Sequence, residues 1–561
     1  MTRHLARFAI VALALTAPLA AQTTTTASPL APCPHMVIDT VGPDGWRLRF
    51  GPTNLGSLLE SEQGQALWQP GVLPILAGWQ TLLGDEAAFA ASKQRLLGYS
   101  GRIRIAFWLG EGELEQQPLA MAALVADGDG RTDLAALAAD VKLAQNHLGG
   151  EWEEREVAGE RQQVRVMGDE VMTAATVQDG RLVVFLAANG KITDTVGIGR
   201  TYASATPAEP LPPTTPALLV HIELPAILAL AKASGSEQDN AILHALGIDE
   251  LGNFDLRLGT AGPHVQVGYQ QDLPPAPRGL VAAFAPKSSG VSTLQRLVPK
   301  DAIAWKVGHF DLGALWEGAI DALVASGMGN TEDELRAEMK KETGIDPSQD
   351  LFPHLTDEVL FVGSSLRGLD RPEEFTWVLG WRLKDDKAFA TNFAKVLASA
   401  NPMLSREATE TVHGMEFQRY GNMLGYDLWF ATGNGLVLVG GGRDVEEWLT
   451  MLAKNAAVPV AADAPALPMP AEFAGVRTHL PPGLTGVARG DIDTLLTLPA
   501  DWWLMILGEV LPFPIRPRDG ELSDDPEARE AMQEMLRKHN LGTVRTATGR
   551  DKNTFHWRLY W

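Results

Sequence analysis

One order of strand and helix patterns occurs twice along the 561-residue chain, so the fold has to accommodate two similar halves. Residues 46–50 and 303–307 alternate apolar and polar side chains, as half-buried strands do. A short polar break follows each, and then an amphipathic helix that opens with Leu-Gly-x-Leu, at Leu55 and at Leu312. Each helix leads through an acidic helical segment to another strand. Repetition of this kind predicts two tandem copies of one unit.

The later parts of the two long units also correspond, because a strand, a helix and a meander follow in the same order in each. Asp179-Gly180 and residues 433–435 are hairpin-turn sequences, since Asp, Asn and Gly tolerate the positive φ that tight hairpins need. The predicted elements are strand 121–126, helix 131–148 and meander 163–187 in the first copy, and strand 375–383, helix 387–397, meander 415–440 and helix 445–452 in the second.

A shorter unit is predicted after each long one, with a strand, a helix and a final hairpin. Because the strands lie in hairpins and meanders that helices interrupt, we predict the α+β class, with antiparallel sheets packed by helices. The predicted elements are strand 217–221, helix 224–234 and a hairpin around residues 261–262 in the first copy, and strand 483–489, helix 492–498 and a hairpin around residues 549–551 in the second.

Proline-rich stretches at 207–216, 273–277 and 456–470 are typical of surface linkers and divide the chain. The predicted organisation has a signal peptide, a linker, and a long and a short unit in each copy. The predicted bounds are 1–21 for the signal peptide, 22–35 for the linker, 36–206 and 212–290 for the first copy, and 291–455 and 471–561 for the second.

The N-terminal residues have the three-part pattern of a secretory signal peptide. Arg3 and Arg7 supply positive charge, residues 8–19 are uncharged and mostly apolar, and Ala20 and Ala21 suit a signal peptidase. The apolar run is too short to span a bilayer, which takes about 20 apolar residues. We therefore expect export to the periplasm or the extracellular space.

Charge and hydropathy narrow the choice of partner. A formal net charge of −22 argues against nucleic acid, whose phosphates need basic patches, and against adhesion to anionic lipid. No later stretch approaches 18 uncharged apolar residues, so we expect no transmembrane helix in the mature chain. The expected partner is an unknown protein or an apolar ligand.

The sequence contains no standard catalytic or phosphate-binding motif, such as His-Glu-x-x-His, Cys-x-x-Cys, Gly-x-Ser-x-Gly or a P-loop. The 12 histidines are dispersed, and none has another at the spacings that place two imidazoles on one metal. We therefore predict no catalytic, cofactor-binding or metal-binding residues and no cofactor. A non-enzymatic role is favoured, with a hydrolase whose site is assembled from distant residues as the alternative.

Three short motifs are predicted to be structural. Residues 440–444 leave a hairpin and enter a helix, with Asp444 at the N-cap. Residues 127–130 (Asp-Gly-Asp-Gly) resemble part of a calcium loop but lack its downstream Glu, so we predict a strand–helix turn. Residues 489–491 (Arg-Gly-Asp) are predicted to end a strand and cap a helix.

The aromatic residues offer one possible interaction surface. Trp502, Trp503 and Phe513 lie in a segment that is apolar on all sides. One interpretation is a core helix. The other is an exposed apolar patch that meets a lipid, a membrane face or a partner, which would make the protein an apolar-ligand or envelope-associated one.

Two motifs resemble a family of exported bacterial proteins known only as a domain of unknown function. One is Leu-Val-Pro-Lys-Asp-Ala at 297–302, and the other is the helix-to-strand passage from 344–352 to 355–359, where Thr356-Asp357 replaces the family's usual Gly. The resemblance is clearest over 291–455. It implies an extracytoplasmic location and a non-enzymatic role. We accordingly expect an exported binding or scaffold protein of the periplasm or envelope.

Overall fold

Contacts between residues divide the chain into two compact units. Unit 1 comprises residues 1–234 and 253–267, and unit 2 comprises residues 235–252 and 268–561. A computed structural model describes residues 34–61, 79–108, 121–146, 151–157, 160–167, 170–187, 216–286, 288–300, 302–327, 331–363, 376–399, 404–422, 427–442, 444–458, 469–491 and 534–561. The predicted signal peptide, and the linker up to residue 33, lie outside these ranges.

The body of unit 1 is an antiparallel sheet. Its strands in chain order are β1 (Met36–Val41), β2 (Arg102–Trp108), β3 (Met121–Asp127), β4 (Glu151–Val157), β5 (Glu160–Met167), β6 (Glu170–Gln178), β7 (Arg181–Ala187), β8 (Leu218–Ile222) and β9 (Phe254–Ala261). Across the sheet the order is β9–β8–β1–β2–β3–β7–β6–β5–β4. The predicted hairpin turn at Asp179-Gly180 joins β6 to β7, with φ of 51° and 72°.

Helices pack against this sheet. In chain order they are α1 (Pro43–Phe50), α2 (Asn54–Glu60), α3 (Glu86–Gly98), α4 (Leu134–Gln145) and α5 (Leu224–Ser234). The Asp133 carboxylate accepts hydrogen bonds from the first turn of α4 and so fixes where that helix begins. Leu134 and Leu137 of α4 pack in one cluster with Leu124 and Leu182 of the sheet. Burial of each leucine side chain contributes about 1.5–3 kcal/mol.

Residues 46–50 form part of α1, so the prediction of a strand there was wrong. Pro43 at the helix start and Asp44 in the first turn favour a helix, because Pro needs no N–H partner there and an acidic group suits the helix N-terminus. Helical spacing places Trp46 and Phe50 on one face, where their rings stack with centroids 5.1 Å apart. The strand that precedes the helix is β1.

Unit 2 is also built on an antiparallel sheet. The strand β10 (His264–Asp272) begins in unit 1 and ends in unit 2. The others are β11 (Ala304–His309), β12 (Leu355–Gly363), β13 (Trp377–Leu383), β14 (Leu404–Val412), β15 (Met415–Asn422), β16 (Asp427–Gly433), β17 (Leu436–Gly441), β18 (Leu484–Asp491), β19 (Thr543–Asp551) and β20 (Thr554–Tyr560). Their order is β20–β19–β18–β11–β12–β13–β17–β16–β15–β14.

The strand order is the same in both units. Replacing β1–β9 by β11–β19 converts the order of unit 1 into that of unit 2. The sequence comparison matched residues 303–307 with residues 46–50. In the strand order, however, β11, which contains most of 303–307, takes the position of β1. Antiparallel sheets packed by helices confirm the α+β class.

The helices of unit 2 lie on both faces of its sheet. Phe389 packs with Leu383 and Val437 in a cluster on one face. Val445 begins a helix against the other face, where Gly440 leaves the room for its side chain. The helices are α6 (Glu237–Ala245), α7 (Gly279–Ala283), α8 (Leu312–Ala325), α9 (Glu332–Thr343), α10 (Pro347–Asp350), α11 (Asp386–Ser399) and α12 (Val445–Ala456), with short 3-10 helices at Ile248–Glu250, Thr293–Leu297, Phe352–His354 and Ala471–His479.

Several local predictions need correction. Asp444 stands at the N-cap of α12, but its side chain makes no capping bond; its N–H donates to the Thr376 hydroxyl at 3.1 Å. The final hairpin turns at Lys552, whose φ is 51°, because residues 549–551 still belong to β19. The first strand of each meander, β4 and β14, was not predicted. Helix 492–498 lies outside the described residues.

Candidate binding site

A small cavity lies between α11 and the meander strands β15 and β16 of unit 2. Its volume is about 90 Å³. The eight side chains that line it, which we call the α11 pocket, are Ala390, Phe393, Ala394, Leu397, Glu416, Gln418, Phe430 and Thr432. Five of these side chains are apolar, and the other three, Glu416, Gln418 and Thr432, are polar and lie on the paired strands at the rim.

The sequence of α11 explains why space remains there. Phe389 and Phe393 stack with ring centroids 5.3 Å apart and direct one side of the helix into the core. Ala390 and Ala394 are four residues apart and therefore lie one above the other on the neighbouring face. Their methyl groups are too short to reach the sheet, so Phe430 of β16 faces a gap.

The rim of the α11 pocket comes from two paired strands. Glu416 lies opposite Thr432, and Gln418 lies opposite Phe430, so all four side chains are on the same face of the sheet. The Gln418 amide donates to Glu416 Oε1 at 2.8 Å, and the Tyr420 hydroxyl donates to Gln418 Oε1 at 3.0 Å. This chain of bonds holds an exposed carboxylate at the edge of an apolar floor.

Two aromatic neighbours fix the orientation of the Phe430 ring. Its ring lies edge-to-face with Phe393 at 5.4 Å and with Tyr420 at 5.6 Å between centroids. Edge-to-face pairs of this kind are worth about 0.5–1.5 kcal/mol beyond their buried area. The floor of the α11 pocket is therefore preformed.

The corresponding helix of unit 1, α4, contacts its sheet through side-chain hydrogen bonds. The Gln145 amide donates to the Thr173 hydroxyl at 2.5 Å, and both side chains are buried. The Arg165 guanidinium and the Trp152 indole both donate to the Asn146 side chain, at 3.0 and 2.7 Å. In the same position of the strand order, unit 2 has an apolar floor and a carboxylate at the rim.

A second polar cluster lies at the start of α5 in unit 1. The imidazole of His221 on β8 lies 2.6 Å from Asp255 on β9 and 3.4 Å from Glu223. Burial lowers the pKa of His221, but its hydrogen bonds to the two carboxylates and their charges raise that pKa more, so the net shift is upward. Arg257 donates to Asp255 at 2.9 Å. The cluster therefore holds a proton up to a higher pH than a free imidazole does.

A third cluster includes groups that can hold a metal ion. One ligand atom from each of His244, Asp249 and Glu250 lies within 4.8 Å of the others. Arg278 donates to Glu250 at 2.8 Å, lies 3.4 Å from Asp249 and contacts the His244 ring. The guanidinium thus occupies the place that a cation would take. The sequence did not reveal this group, because the search was for two histidines at metal-binding spacing and the group has one histidine and two carboxylates.

Residues 127–130 lie between the end of β3 and the start of α4, which confirms the predicted strand–helix turn. The Asp129 carboxylate accepts hydrogen bonds from the N–H groups of Ser100, Arg131 and Thr132 and so holds the turn together. Burial raises the pKa of Asp129, but these bonds and one from the Thr132 hydroxyl lower it more, to about 2.

The Arg-Gly-Asp motif ends β18, as predicted. The Arg489 guanidinium donates to Asp491 at 2.8 Å, so the motif makes an internal ion pair. Trp502, Trp503 and Phe513, the residues of the predicted interaction surface, lie outside the described residues, as does the helix that Asp491 was predicted to cap.

Comparison of the chain with family models, curated proteins and solved structures finds no match. Within the parts of the chain that the structure describes, every helix is too short or too polar to cross a membrane.

Proposed function

We propose that this chain is an exported, non-enzymatic binding protein with two tandem copies of one α+β unit, and that the second copy binds a small organic ligand in the α11 pocket. The preformed apolar floor with a carboxylate at its rim carries the proposal. The periplasm or the extracellular space is the proposed location, on the basis of the N-terminal sequence pattern and the resemblance over 291–455.

The shared strand order supports the proposed duplication, because identical connectivity across nine strands is unlikely to arise twice by chance. The difference between α4 and α11 supports the assignment of ligand binding to the second copy. Function belongs to the site and not to the fold, so two copies of one fold can differ in whether they bind a ligand.

A weak neutral probe tests the proposal directly. Isobutanol has five non-hydrogen atoms, and its branched end can enter a cavity of about 90 Å³, which has room for about three groups of ~30 Å³ each. We expect saturation-transfer NMR of isobutanol with the full chain to show binding with a Kd on the order of 1–10 mM, since about half of the ceiling of ~1.5 kcal/mol per non-hydrogen atom gives roughly 3–4 kcal/mol for five atoms.

Ala394→Leu is the variant that fills the α11 pocket. Ala394 is exposed at the pocket mouth, so the longer side chain enters the cavity without disturbing the core. We expect the isobutanol signal to disappear in Ala394→Leu and to persist in Lys395→Leu, a matched change on the solvent side of α11. An unchanged signal in Ala394→Leu, or no signal in the wild type, would show that the proposal is wrong.

A further inference from the structure

We infer that Arg489 of β18 and Arg545 of β19 form a binding site for a free phosphate ion in unit 2. The site is separate from the α11 pocket and does not rest on the proposed function. The two residues are register partners, so their side chains lie on the same face of the sheet with Cβ atoms roughly 4.5–5.5 Å apart. Like charges at directly opposite positions destabilise a sheet, and an anion shared by the two guanidinium groups removes that repulsion.

The strand register identifies the position in unit 1 that corresponds to Arg489. His221 of β8 lies opposite Val37 of β1, and Arg489 of β18 lies opposite Trp305 of β11. Val37 and Trp305 are each the second residue of their strand. Because β1 and β11 take the same place in the strand order, and β8 and β18 do so too, Arg489 occupies the place of His221.

The residue across the sheet from this position differs in charge between the two units. In unit 1 it is Asp255 of β9, which lies 2.6 Å from His221 and is its partner. In unit 2 it is Arg545 of β19, which carries the same charge as Arg489. The second copy therefore places a cation where the first copy places a carboxylate.

The guanidinium of Arg545 has donors to offer to a ligand. Nη2 of Arg489 donates to both carboxylate oxygens of Asp491, at 2.8 and 3.1 Å. The guanidinium of Arg545, by contrast, makes no hydrogen bond or ion pair with any described residue, and its Nε is buried. A guanidinium presents its N–H groups as a rigid fork that matches the oxygens of a phosphate.

The carboxylates near Arg545 do not fully compensate its charge. Burial lowers the pKa of Arg545, and the charge of Arg489 lowers it further. The charges of Glu472 and Asp491 raise that pKa by less, so the net shift is downward. Arg336, which bonds to two glutamates, shows the opposite result, because burial lowers its pKa but those bonds and charges raise it more. A bound anion would offset the cost of partly burying a guanidinium that lacks such bonds.

The surroundings of the two arginines leave space for a small ion only at the surface of the sheet. Register places the four side chains in one row, in the order Trp305, Arg489, Arg545 and Tyr560. Trp305 and Tyr560 are buried at the ends of the row, whereas both arginines are partly exposed. A ligand can therefore reach the guanidinium groups from solvent, between two aromatic neighbours.

A free phosphate ion fits this site better than a carboxylate or a lipid headgroup. A phosphate carries up to two negative charges and has oxygens for two guanidinium forks, whereas a carboxylate carries one charge. The formal net charge of −22 repels an anionic membrane surface, so a headgroup in a bilayer is disfavoured.

Inorganic phosphate is the probe for this site. We expect a phosphorus-31 NMR titration of phosphate with the full chain, at pH 8 and constant ionic strength, to show saturable binding with a Kd on the order of 1 mM. Arg545→Met removes the guanidinium and keeps an apolar side chain of similar length. We expect this variant to bind phosphate at least about ten-fold more weakly, because hydrogen bonds between charged groups are lost.

The control is Arg131→Met, which changes the net charge equally at an exposed arginine of unit 1. It should bind phosphate with the affinity of the wild type. In chloride alone, Arg545→Met should have a thermal midpoint no lower than that of the wild type, because it removes one of two neighbouring like charges. A lower midpoint or loss of the fold would show that Arg545 is needed for the structure itself and would overturn the inference.

Three further results would overturn the inference. One is the absence of saturable phosphate binding in the wild type, and another is equal affinity in the wild type and Arg545→Met. The third is cosedimentation of the full chain with vesicles that contain phosphatidic acid, if Arg545→Met abolishes it, because the ligand would then be a lipid headgroup and not a free ion.

Discussion

His221 Nδ1 lies 2.6 Å from Asp255 Oδ1, on the strand directly across the sheet. The two residues are register partners, so the contact joins β8, which precedes α5, to β9. Glu223 lies 3.4 Å from the other ring nitrogen. A protonated ring donates to both carboxylates, whereas a neutral ring donates to one only. The contact is therefore stronger at low pH.

Stability should follow the protonation of this histidine. The pKa of His221 is raised in the folded state, so its contribution is fully present below the unfolded value of about 6.5 and is lost as the pH rises through the folded value. We expect His221→Gln to lower the thermal midpoint by about 1–3 °C at pH 6 and by less at pH 9. Differential scanning calorimetry at both pH values measures this.

The control for the pH effect is His413→Asn. His413 is exposed in a hairpin turn with φ of 51°, a conformation that Asn accepts. This variant should show the same pH dependence as the wild type. A difference between His221→Gln and wild type that grows with pH would contradict the prediction.

Asp127 is the shared partner of two arginines in unit 1. Its carboxylate accepts from Arg104 at 2.9 Å and from Arg181 at 3.1 Å, and the Arg104 side chain is 1% exposed. Asp127→Asn removes the negative charge that two arginines share, one of them the buried Arg104. We expect a loss of roughly 3–5 kcal/mol, measured by urea denaturation, because breaking a buried pair costs much more than the pair contributes.

An exposed ion pair provides the comparison. Asp44 and Arg47 are joined at 2.9 Å on α1, but the Arg47 side chain is 68% exposed. Asp44→Asn should change stability by less than about 1 kcal/mol. If Asp127→Asn and Asp44→Asn lower the free energy of unfolding by similar amounts, burial does not determine how much the Asp127 pair contributes to stability.

The α+β class and several helices could be anticipated from sequence because they depend on short-range signals, whereas the strand order across each sheet depends on pairing between distant residues and was not predicted. The turn at Asp179-Gly180 adopts the positive φ values that its residues predict. Residues 46–50 have the alternation of a strand, because Arg alternates with apolar residues, but the helix signal lies upstream in Pro43 and Asp44. The helix-start residues Pro43 and Asp44 therefore decide the structure of this segment, and the alternation of apolar and polar residues does not.

The α11 pocket could not be predicted, because it results from residues that are distant in sequence. Ala390 and Ala394 look like ordinary helix formers, and Phe430 looks like an ordinary strand residue. The gap appears only when the register of β15 and β16 places Phe430 beneath the two alanines.

The predicted interaction surface at Trp502, Trp503 and Phe513 stays a prediction, since it lies outside the described residues.

Gln145 should be important for closing α4 on its sheet. The side chain is 7% exposed and donates to the Thr173 hydroxyl, which in turn donates to the Phe185 carbonyl at 2.5 Å. Gln145→Ala removes the donor and leaves a cavity, so we expect a loss of about 2–3 kcal/mol in urea denaturation. Lys142→Ala, one turn earlier on α4, should cost less than about 0.5 kcal/mol. Equal effects of the two variants would contradict the role assigned to Gln145.

Arg278 should control access of metal ions to His244, Asp249 and Glu250. In the wild type its guanidinium lies among the ligand atoms, so a divalent cation would have to displace a positive charge that already donates to Glu250 at 2.8 Å. Arg278→Ala removes that charge and leaves an imidazole and two carboxylates, ligands that Zn²⁺ accepts. We expect isothermal titration calorimetry to detect Zn²⁺ binding to Arg278→Ala at this cluster, and no binding there in the wild type. Adding His244→Ala to the variant should abolish the new binding. If the single and double variants bind Zn²⁺ equally, the metal is held elsewhere and the guanidinium does not occupy a cation's place.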